Sequence, residues 1–206
     1  MNLQNIASHT IDVDLLPWTP RTLDAGCRDF DFTRGIFNLR PNGTILALDP
    51  DPEMMGPPAD LRGVYFRRVA LVGKPRETSG YFMGSTGHGN FLSELPQYYD
   101  MRKLDVMCIS ICQLGVPWDL VKLDIEGAEF DVLNEWPGPI ARQISVEFHD
   151  WDKPDIRDGT YYSELFARLA TFGYRVVQHE LSIQGTGRGH WDTLIVLDDE
   201  KRTAGG

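Results

Sequence analysis

Leu120, Val121, Leu123 and Ile125 form a nearly continuous apolar run, the mark of a strand buried on both faces. Lys122, Asp124 and Glu126 interrupt it at even spacing, so alternation along an extended chain sends all three to one side. Gly127 then breaks the strand, and Ala128, Val132, Leu133 and Trp136 give a helical stripe that stops at Pro137. An ion inside a sheet is expensive unless it is paired or faces a wet cleft. Two readings follow. Lys122 and Asp124 form a structural ion pair, with Glu126 and Glu129 favouring the helix N-terminus. Alternatively, these side chains stand at the carboxyl end of a central strand, where open α/β sheets bind ligands.

The pattern elsewhere repeats this alternation of strand and helix. Residues 1–20 read as a leader or a short helix closed by Pro17 and Pro20. Residues 21–25 are a short strand running into a turn at Gly26, 31–40 a helix ending before Pro41-Asn42-Gly43, and 44–48 a second strand ending at Asp49-Pro50. A Pro, Gly and Met-rich loop covers 51–62, and 64–72 suits a third strand. Tyr81–Met83 is a short strand leading into the glycine-dense loop 84–90, whose His88 is a weak catalytic candidate. Leu104–Ile109 is strand, and Ser110 to Leu114 begins a helix. In 141–148, Ile144, Val146 and Phe148 alternate with Gln143, Ser145 and Glu147, and the run ends in His149-Asp150. Residues 151–160 form a loop. Tyr162–Phe172 is an amphipathic helix carrying Leu165, Phe166, Leu169 and Phe172 on one side, with Gly173 as its C-cap. Residues 174–181 and 191–197 are two strands joined by a Gly-rich loop, and 200–206 a frayed tail. Strands alternating with helices, closed by an antiparallel hairpin, predict a doubly wound, mostly parallel α/β sheet with helices on both faces. The expected division is one Rossmann-like domain over 21–199, preceded by the leader.

At 206 residues, with 24% charged and 42% hydrophobic side chains, the chain has the composition of an ordinary soluble domain. Its net charge of -10 argues against a general binder of phosphate backbones. Three cysteines (27, 108 and 112) with no Cys-x-x-Cys pair suggest neither a disulfide framework nor a structural zinc site. Cys108 and Cys112 read as packing residues. With neither a signal peptide nor a membrane span, the expected setting is the cytoplasm, without a membrane partner.

The spacing of Gly26 and Asp49 adds chemistry. A glycine turn after one strand, and an acid at the tip of the next about 20 residues on, is a nucleotide-binding arrangement in which the acid accepts hydrogen bonds from ribose hydroxyls. Asp49-Pro50-Asp51-Pro52 is also compatible with a plain polar turn.

Val121-Lys122-Leu123-Asp124-Ile125-Glu126-Gly127-Ala128-Glu129, followed by Val132-Leu133, resembles the hallmark segment of FkbM-type methyltransferases. Leu23-Asp24-Ala25-Gly26, Ala47-Leu48-Asp49-Pro50 and Ile144-Ser145-Val146-Glu147-Phe148-His149 are similar to other family segments and stand in the family's order over roughly residues 20–150. The resemblance implies a class I methyltransferase fold, S-adenosylmethionine (SAM) as methyl donor, and a hydroxyl oxygen on a sugar or small natural product as acceptor. Carried over position by position, Asp24, Gly26 and Cys27 would line the methionine end of SAM, Asp49 and Pro50 would sit at the ribose, and Asp124 and Glu126 would flank the transferring methyl. Arg28 would pair with the methionine carboxylate. Phe30 stands where the family usually has a further glycine, so a bulky side chain there is expected to narrow the pocket or alter the turn.

Methyl transfer from a sulfonium is an in-line displacement, to which a protein contributes mainly positioning. An alcohol acceptor also needs a base. His149, at a strand tip beside the central one, is the first candidate, and Asp124, anchored by Lys122, the second. Glu126 and Glu147 would orient the acceptor. No metal is required, although Asp124, Glu126, His149 and Asp150 are donors able to hold a divalent ion. A dinucleotide oxidoreductase is disfavoured by the missing Gly-x-Gly-x-x-Gly. A non-catalytic SAM-fold binding module stays open through Phe30.

Overall fold

The computed structural model describes residues 1–83, 102–115, 117–149, 160–183 and 189–198. Its strands are β1 (Leu3–Ile6), β2 (His9–Asp12), β3 (Arg21–Ala25), β4 (Thr44–Leu48), β5 (Val64–Arg67), β6 (Ala70–Val72), β7 (Thr78–Met83), β8 (Arg102–Ser110), β9 (Trp118–Leu123), β10 (Ala141–Phe148), β11 (Tyr174–Ile183) and β12 (Gly189–Leu197). The helices are α1 (Asp31–Leu39), α2 (Glu129–Asn134) and α3 (Thr160–Thr171), with single 3-10 turns at Val13–Leu15 and Ile111–Gln113. The loops 84–90 and 151–159, the tail 200–206, His88 and Asp150 lie outside the described residues.

Seven strands form the main sheet in the order β11-β12-β10-β9-β3-β4-β5. The pairs β5/β4, β4/β3, β3/β9 and β9/β10 are parallel, and β12 runs antiparallel to both β10 and β11. This is the doubly wound α/β sheet closed by a C-terminal hairpin that the alternation predicts. A separate three-stranded sheet, β6-β8-β7, branches from the path between β5 and β9. No described helix is long and apolar enough to cross a membrane.

Burial on both faces explains the continuous apolar runs. On one face Leu23, Val121, Leu123, Ile144, Val146 and Phe148 pack beneath α2 and α3, which contribute Phe130, Val132, Leu133, Leu165 and Leu169. On the other, Ile45 and Leu120 meet Phe32 and Ile36 of α1 together with Ile11, Val13 and Leu16 of the amino-terminal segment. The first of these clusters is pinned by Tyr174. Its hydroxyl donates to the Ala141 carbonyl at 2.9 Å and accepts from the Ala141 N–H at 3.0 Å and the Trp136 indole at 3.3 Å, all buried.

Several local expectations are revised. Residues 3–12 form a β-hairpin, β1–β2, rather than a helix. It pairs in register from Leu3↔Asp12 to Ile6↔His9 and docks on β10 through Gln143, whose amide bonds the Asp12 N–H at 2.8 Å and carbonyl at 3.1 Å. The run 64–72 is two strands. β5 leaves β4 after Arg67, the Val69 N–H turns back to the Arg67 carbonyl, and β6 pairs instead with β8. β9 ends at Leu123, so Asp124 and Glu126 lie beyond the strand. Only one 3-10 turn follows Ser110. All three thiols are free, but Cys112 is exposed and Cys108 half-buried, so only Cys27 is fully packed.

Tyr174→Phe should destabilise the fold by about 1–3 kcal/mol, because it leaves buried Ala141 and Trp136 groups without their partner. The shift in urea unfolding midpoint at unchanged slope measures it.

Candidate functional site

The site grows from one row across the sheet. Asp24 on β3, Lys122 on β9 and Ser145 on β10 are register partners, so their side chains project from the same face. Toward the strands' amino-terminal ends this face carries Ile45, Thr22, Leu120 and Gln143; toward their carboxyl ends it is ionic. The Lys122 ammonium, 3% exposed, donates to the Gly26 carbonyl at 2.6 Å and lies 3.4 Å from Asp24 Oδ1 and 3.3 Å from Asp124 Oδ2. Burial opposes its charge, but Asp124 and Asp24 outweigh it and raise its pKa further above the ordinary lysine value. Burial also opposes charge on Asp124, whose carboxyl Lys122, His9 and His149 nevertheless hold well below the usual range. Asp24 is fully buried; its Oδ2 accepts from the Thr33 hydroxyl at 2.6 Å, and its Oδ1 has no hydrogen bond.

Two strained turns flank this ion group. Gly26 has φ +79°, and a Cβ there would stand 1.7 Å from the Asp124 carbonyl oxygen, so the glycine is dictated by contact between the β3 loop and the chain leaving β9. Arg28 and Phe30 follow with φ +26° and +60°. Phe30 therefore occupies the left-handed conformation that explains the family's glycine, at a cost of about 1–2 kcal/mol. Its ring packs with Cys27, Ala47, Leu61 and Phe66, in the core rather than across the loop's open side. Cys27 lies in the same apolar cluster. Burial, with Asp24 and Asp49 adding, drives its thiol pKa far upward, so the sulfur stays protonated. Asp49, just past β4, accepts the Arg28 N–H at 3.0 Å on Oδ2 and the Asp51 N–H at 2.9 Å on Oδ1. Burial raises its pKa in spite of both bonds. Pro50 beside it is half-buried, and the Arg28 side chain is exposed. Asp24, Asp49 and Asp124 thus stand at the carboxyl ends of the adjacent strands β3, β4 and β9.

The second turn carries Glu126 (φ +55°) and Gly127 (φ +101°). Glu126 reaches the site through this reversal, not through strand alternation. Burial lifts its carboxyl to about 7; His149 opposes the shift, and Asp124, Glu129 and Glu147 add to it. Its Oε2 is buried without a hydrogen bond. Glu129, fully buried, accepts the N–H groups of Ile125 (2.9 Å) and Gly127 (3.0 Å to the nearer oxygen) and meets His149 Nδ1 at 3.0 Å. His149 Nε2 faces Glu147 Oε1 at 3.3 Å, Glu126 Oε2 at 3.6 Å and Asp124 Oδ1 at 3.9 Å. Burial disfavours the imidazolium, yet Glu129, Glu147 and Glu126 raise the His149 pKa well above that of an ordinary histidine.

Sequence reasoning missed three members of this cluster and understated a fourth. His9, at the hairpin tip and 2% exposed, turns Nε2 toward Asp124 Oδ2 at 3.6 Å and Glu147 Oε2 at 4.0 Å. His190 and Asp192 on β12 extend it, with His190 Nδ1 3.2 Å from Glu147 Oε1 and Nε2 3.6 Å from Asp192 Oδ2. Glu129, read as a helix-dipole residue, anchors His149. The alternation Glu147/His149 and His190/Asp192 was the available signal; nothing local marked His9.

The donor set suits a cationic nucleotide ligand. Two carboxylates, Asp24 and Asp124, face the one ammonium, and Asp24 Oδ1 has no hydrogen bond, so a cationic group would find an acceptor there. Asp49 keeps lone pairs for hydroxyl donors.

An open sheet of this order, with ligand-type carboxylates at the tips around its topological switch point, is the class I methyltransferase fold. The sequence matches the methyltransferase FkbM domain over residues 28–176, and the chain belongs to the FkbM methyltransferase family, as an S-adenosylmethionine-dependent enzyme. No curated protein matches it. Among solved structures it is similar to the Methanococcus jannaschii fibrillarin pre-rRNA processing protein (TM-score 0.53, 10% identity, covering 92% of this chain and 70% of that one). It is similar also to a putative rRNA methylase from Clostridium thermocellum (0.51, 11%, 90% and 91%). The methyltransferase FkbM of Methylobacillus flagellatus KT aligns at TM-score 0.47 and 13% identity, over 87% of this chain and 44% of that one.

Lys122→Met should destabilise the protein by about 3–5 kcal/mol, since it strands the buried Asp24 carboxylate and unpairs Asp124. Chemical unfolding measures it directly.

Proposed function

We propose that this enzyme methylates a hydroxyl oxygen on a sugar or other small molecule. The observation that carries the reading is the wall of histidines and carboxylates beyond the tip of β9: His9, Glu126, Glu147 and His149 around Asp124, extended through Glu147 to His190. An alcohol, unlike an amine, must shed a proton as it is methylated, and such a wall can receive it. The same wall repels phosphate, as does the net charge of -10, and this favours a neutral acceptor over a nucleic acid.

SAM, when bound, supplies an electrophilic methyl group on sulfur. Asp49 accepts hydrogen bonds from the ribose hydroxyls. Asp24 and Gly26 shape the methionine end beside Lys122, and Arg28, at the mouth of the loop, takes the methionine carboxylate. Cys27 contributes packing rather than a charge, because its thiol is buried among apolar groups. Lys122 holds Asp124 in place at the methyl end. Glu126 Oε2, buried and without a hydrogen bond, receives the acceptor proton. His149, clamped through Nδ1 by Glu129, stands with Nε2 3.6 Å from Glu126 Oε2 and fixes the place of that carboxylate.

Isothermal titration with SAM and its demethylated product tests the donor site, and transfer of labelled methyl to sugars and polyols, against RNA oligonucleotides, tests the acceptor. Methylation of RNA but of no hydroxylated small molecule would overturn the acceptor assignment. Asp49→Asn should weaken SAM binding about ten- to hundredfold. Glu126→Gln should leave SAM affinity intact while lowering kcat by about 10²–10⁴-fold; equal loss of affinity in both variants would show the roles to be misplaced.

A further inference from the structure

We propose that His9, Asp124, Glu147 and His149 bind one divalent transition-metal ion, with the amino-terminal hairpin completing its coordination. The two imidazole Nε2 atoms face the same pair of carboxylates. His9 lies 3.6 Å from Asp124 Oδ2 and 4.0 Å from Glu147 Oε2; His149 lies 3.9 Å from Asp124 Oδ1 and 3.3 Å from Glu147 Oε1. Each carboxylate therefore turns one oxygen toward each histidine. Two donors on a common ion at about 2.1 Å stand about 3.0–3.4 Å apart. Donor atoms of His9, Asp124 and Glu147 lie within 4.8 Å of one another, as do those of Asp124, Glu126 and His149, so the two sets share Asp124, and inward rotation of its carboxylate and of His149 joins them on one ion.

The outer contacts are those of metal-bound histidines. A ligating imidazole gives its second nitrogen to a carboxylate or another fixed oxygen, which sets its orientation. His149 Nδ1 meets Glu129 Oε1 at 3.0 Å, and Glu129 is itself fixed by the N–H groups of Ile125 and Gly127. His9 Nδ1 meets the Ser145 hydroxyl at 3.5 Å. Both Nε2 atoms are thereby directed at the carboxylate pair. Glu126 Oε2, 3.6 Å from His149 Nε2 and buried without a hydrogen bond, lies at the edge of the cluster, where it stays available as the base. Among the described residues, Lys122 is the one lysine or arginine within ion-pair distance of any of these carboxylates, so the cluster holds more acid than fixed cations neutralise.

Donor type selects the ion. Two imidazoles with carboxylates suit Mn²⁺, Fe²⁺, Co²⁺ or Zn²⁺ rather than Ca²⁺ or Mg²⁺, which favour all-oxygen shells. The ion's chemical use rests on the hydroxyl-methylation reading: bound to the acceptor oxygen it acidifies the hydroxyl and holds it in line. Its binding does not depend on that reading.

The test uses the full chain dialysed against chelator. Mn²⁺ is titrated by loss of the free-ion EPR signal and Co²⁺ by its visible absorption, with circular dichroism confirming the fold of each variant. Filling of about one site per chain is expected, weakened about tenfold or more by His9→Ala and by Glu129→Gln, which touches no ion itself. Failure of the wild-type protein to bind either ion at millimolar concentration overturns the proposal, and so does unchanged affinity in both variants. SAM titration beside the metal titrations separates the two readings: a protein that binds SAM but neither ion loses only the ion site, whereas one that binds an ion but not SAM loses the methyl-transfer site and keeps the ion.

Discussion

The ammonium of Lys122 is the constraint on which the rest of the site depends. A charge this deep is tolerated only because Asp24, Asp124 and the Gly26 carbonyl surround it, and those groups come from β3, its loop and the chain leaving β9. The lysine thereby locks two adjacent strand ends together. The positive-φ residues Gly26, Arg28, Phe30, Glu126 and Gly127 all fall in the two turns beside it. Such conformations cost about 1–3 kcal/mol each for residues other than glycine, and they persist where the surroundings over-determine them. Here the determinants are the lysine, the Glu129 carboxylate and the Phe30 cluster.

A second principle is the division of one sheet face. Its amino-terminal half is sealed by Ile11, Phe32, Ile36, Ile45 and Leu120, while its carboxyl-terminal half carries acids and histidines from β2, β9, β10 and β12. The apolar half supplies the stability that lets the ionic half exist, since a group of carboxylates sharing one lysine could not hold the strands together alone. The hairpin β1–β2 belongs to both halves, with Ile11 in the core and His9 in the cluster.

Much of this was legible in the sequence, for identifiable reasons. β3, β4, β9, β10 and the helices α1 and α3 carry clear apolar periodicity bounded by Gly or Pro, and Asp24, Asp49 and Asp124 stand at strand ends that adjacency in an open sheet brings together. The hairpin of residues 3–12 was not legible. Its alternation is short and polar, and its burial comes from docking on β10 through Gln143, more than a hundred residues away. His9 therefore had no local signature. The split of 64–72 into β5 and β6 depends on which neighbour each half pairs with, a choice invisible to periodicity. Phe30 was expected to narrow the pocket or alter the turn; the residue takes a left-handed backbone conformation with its ring turned into the core.

The contact between Gly26 and the Asp124 carbonyl has one more implication. With no room for even a single extra carbon between them, and with the Asp124 N–H on the Ala25 carbonyl and the Lys122 ammonium on the Gly26 carbonyl, the loop after β3 and the chain leaving β9 are held against each other. Access for a bulky reactant must then come from displacement of covering elements rather than from widening of the floor.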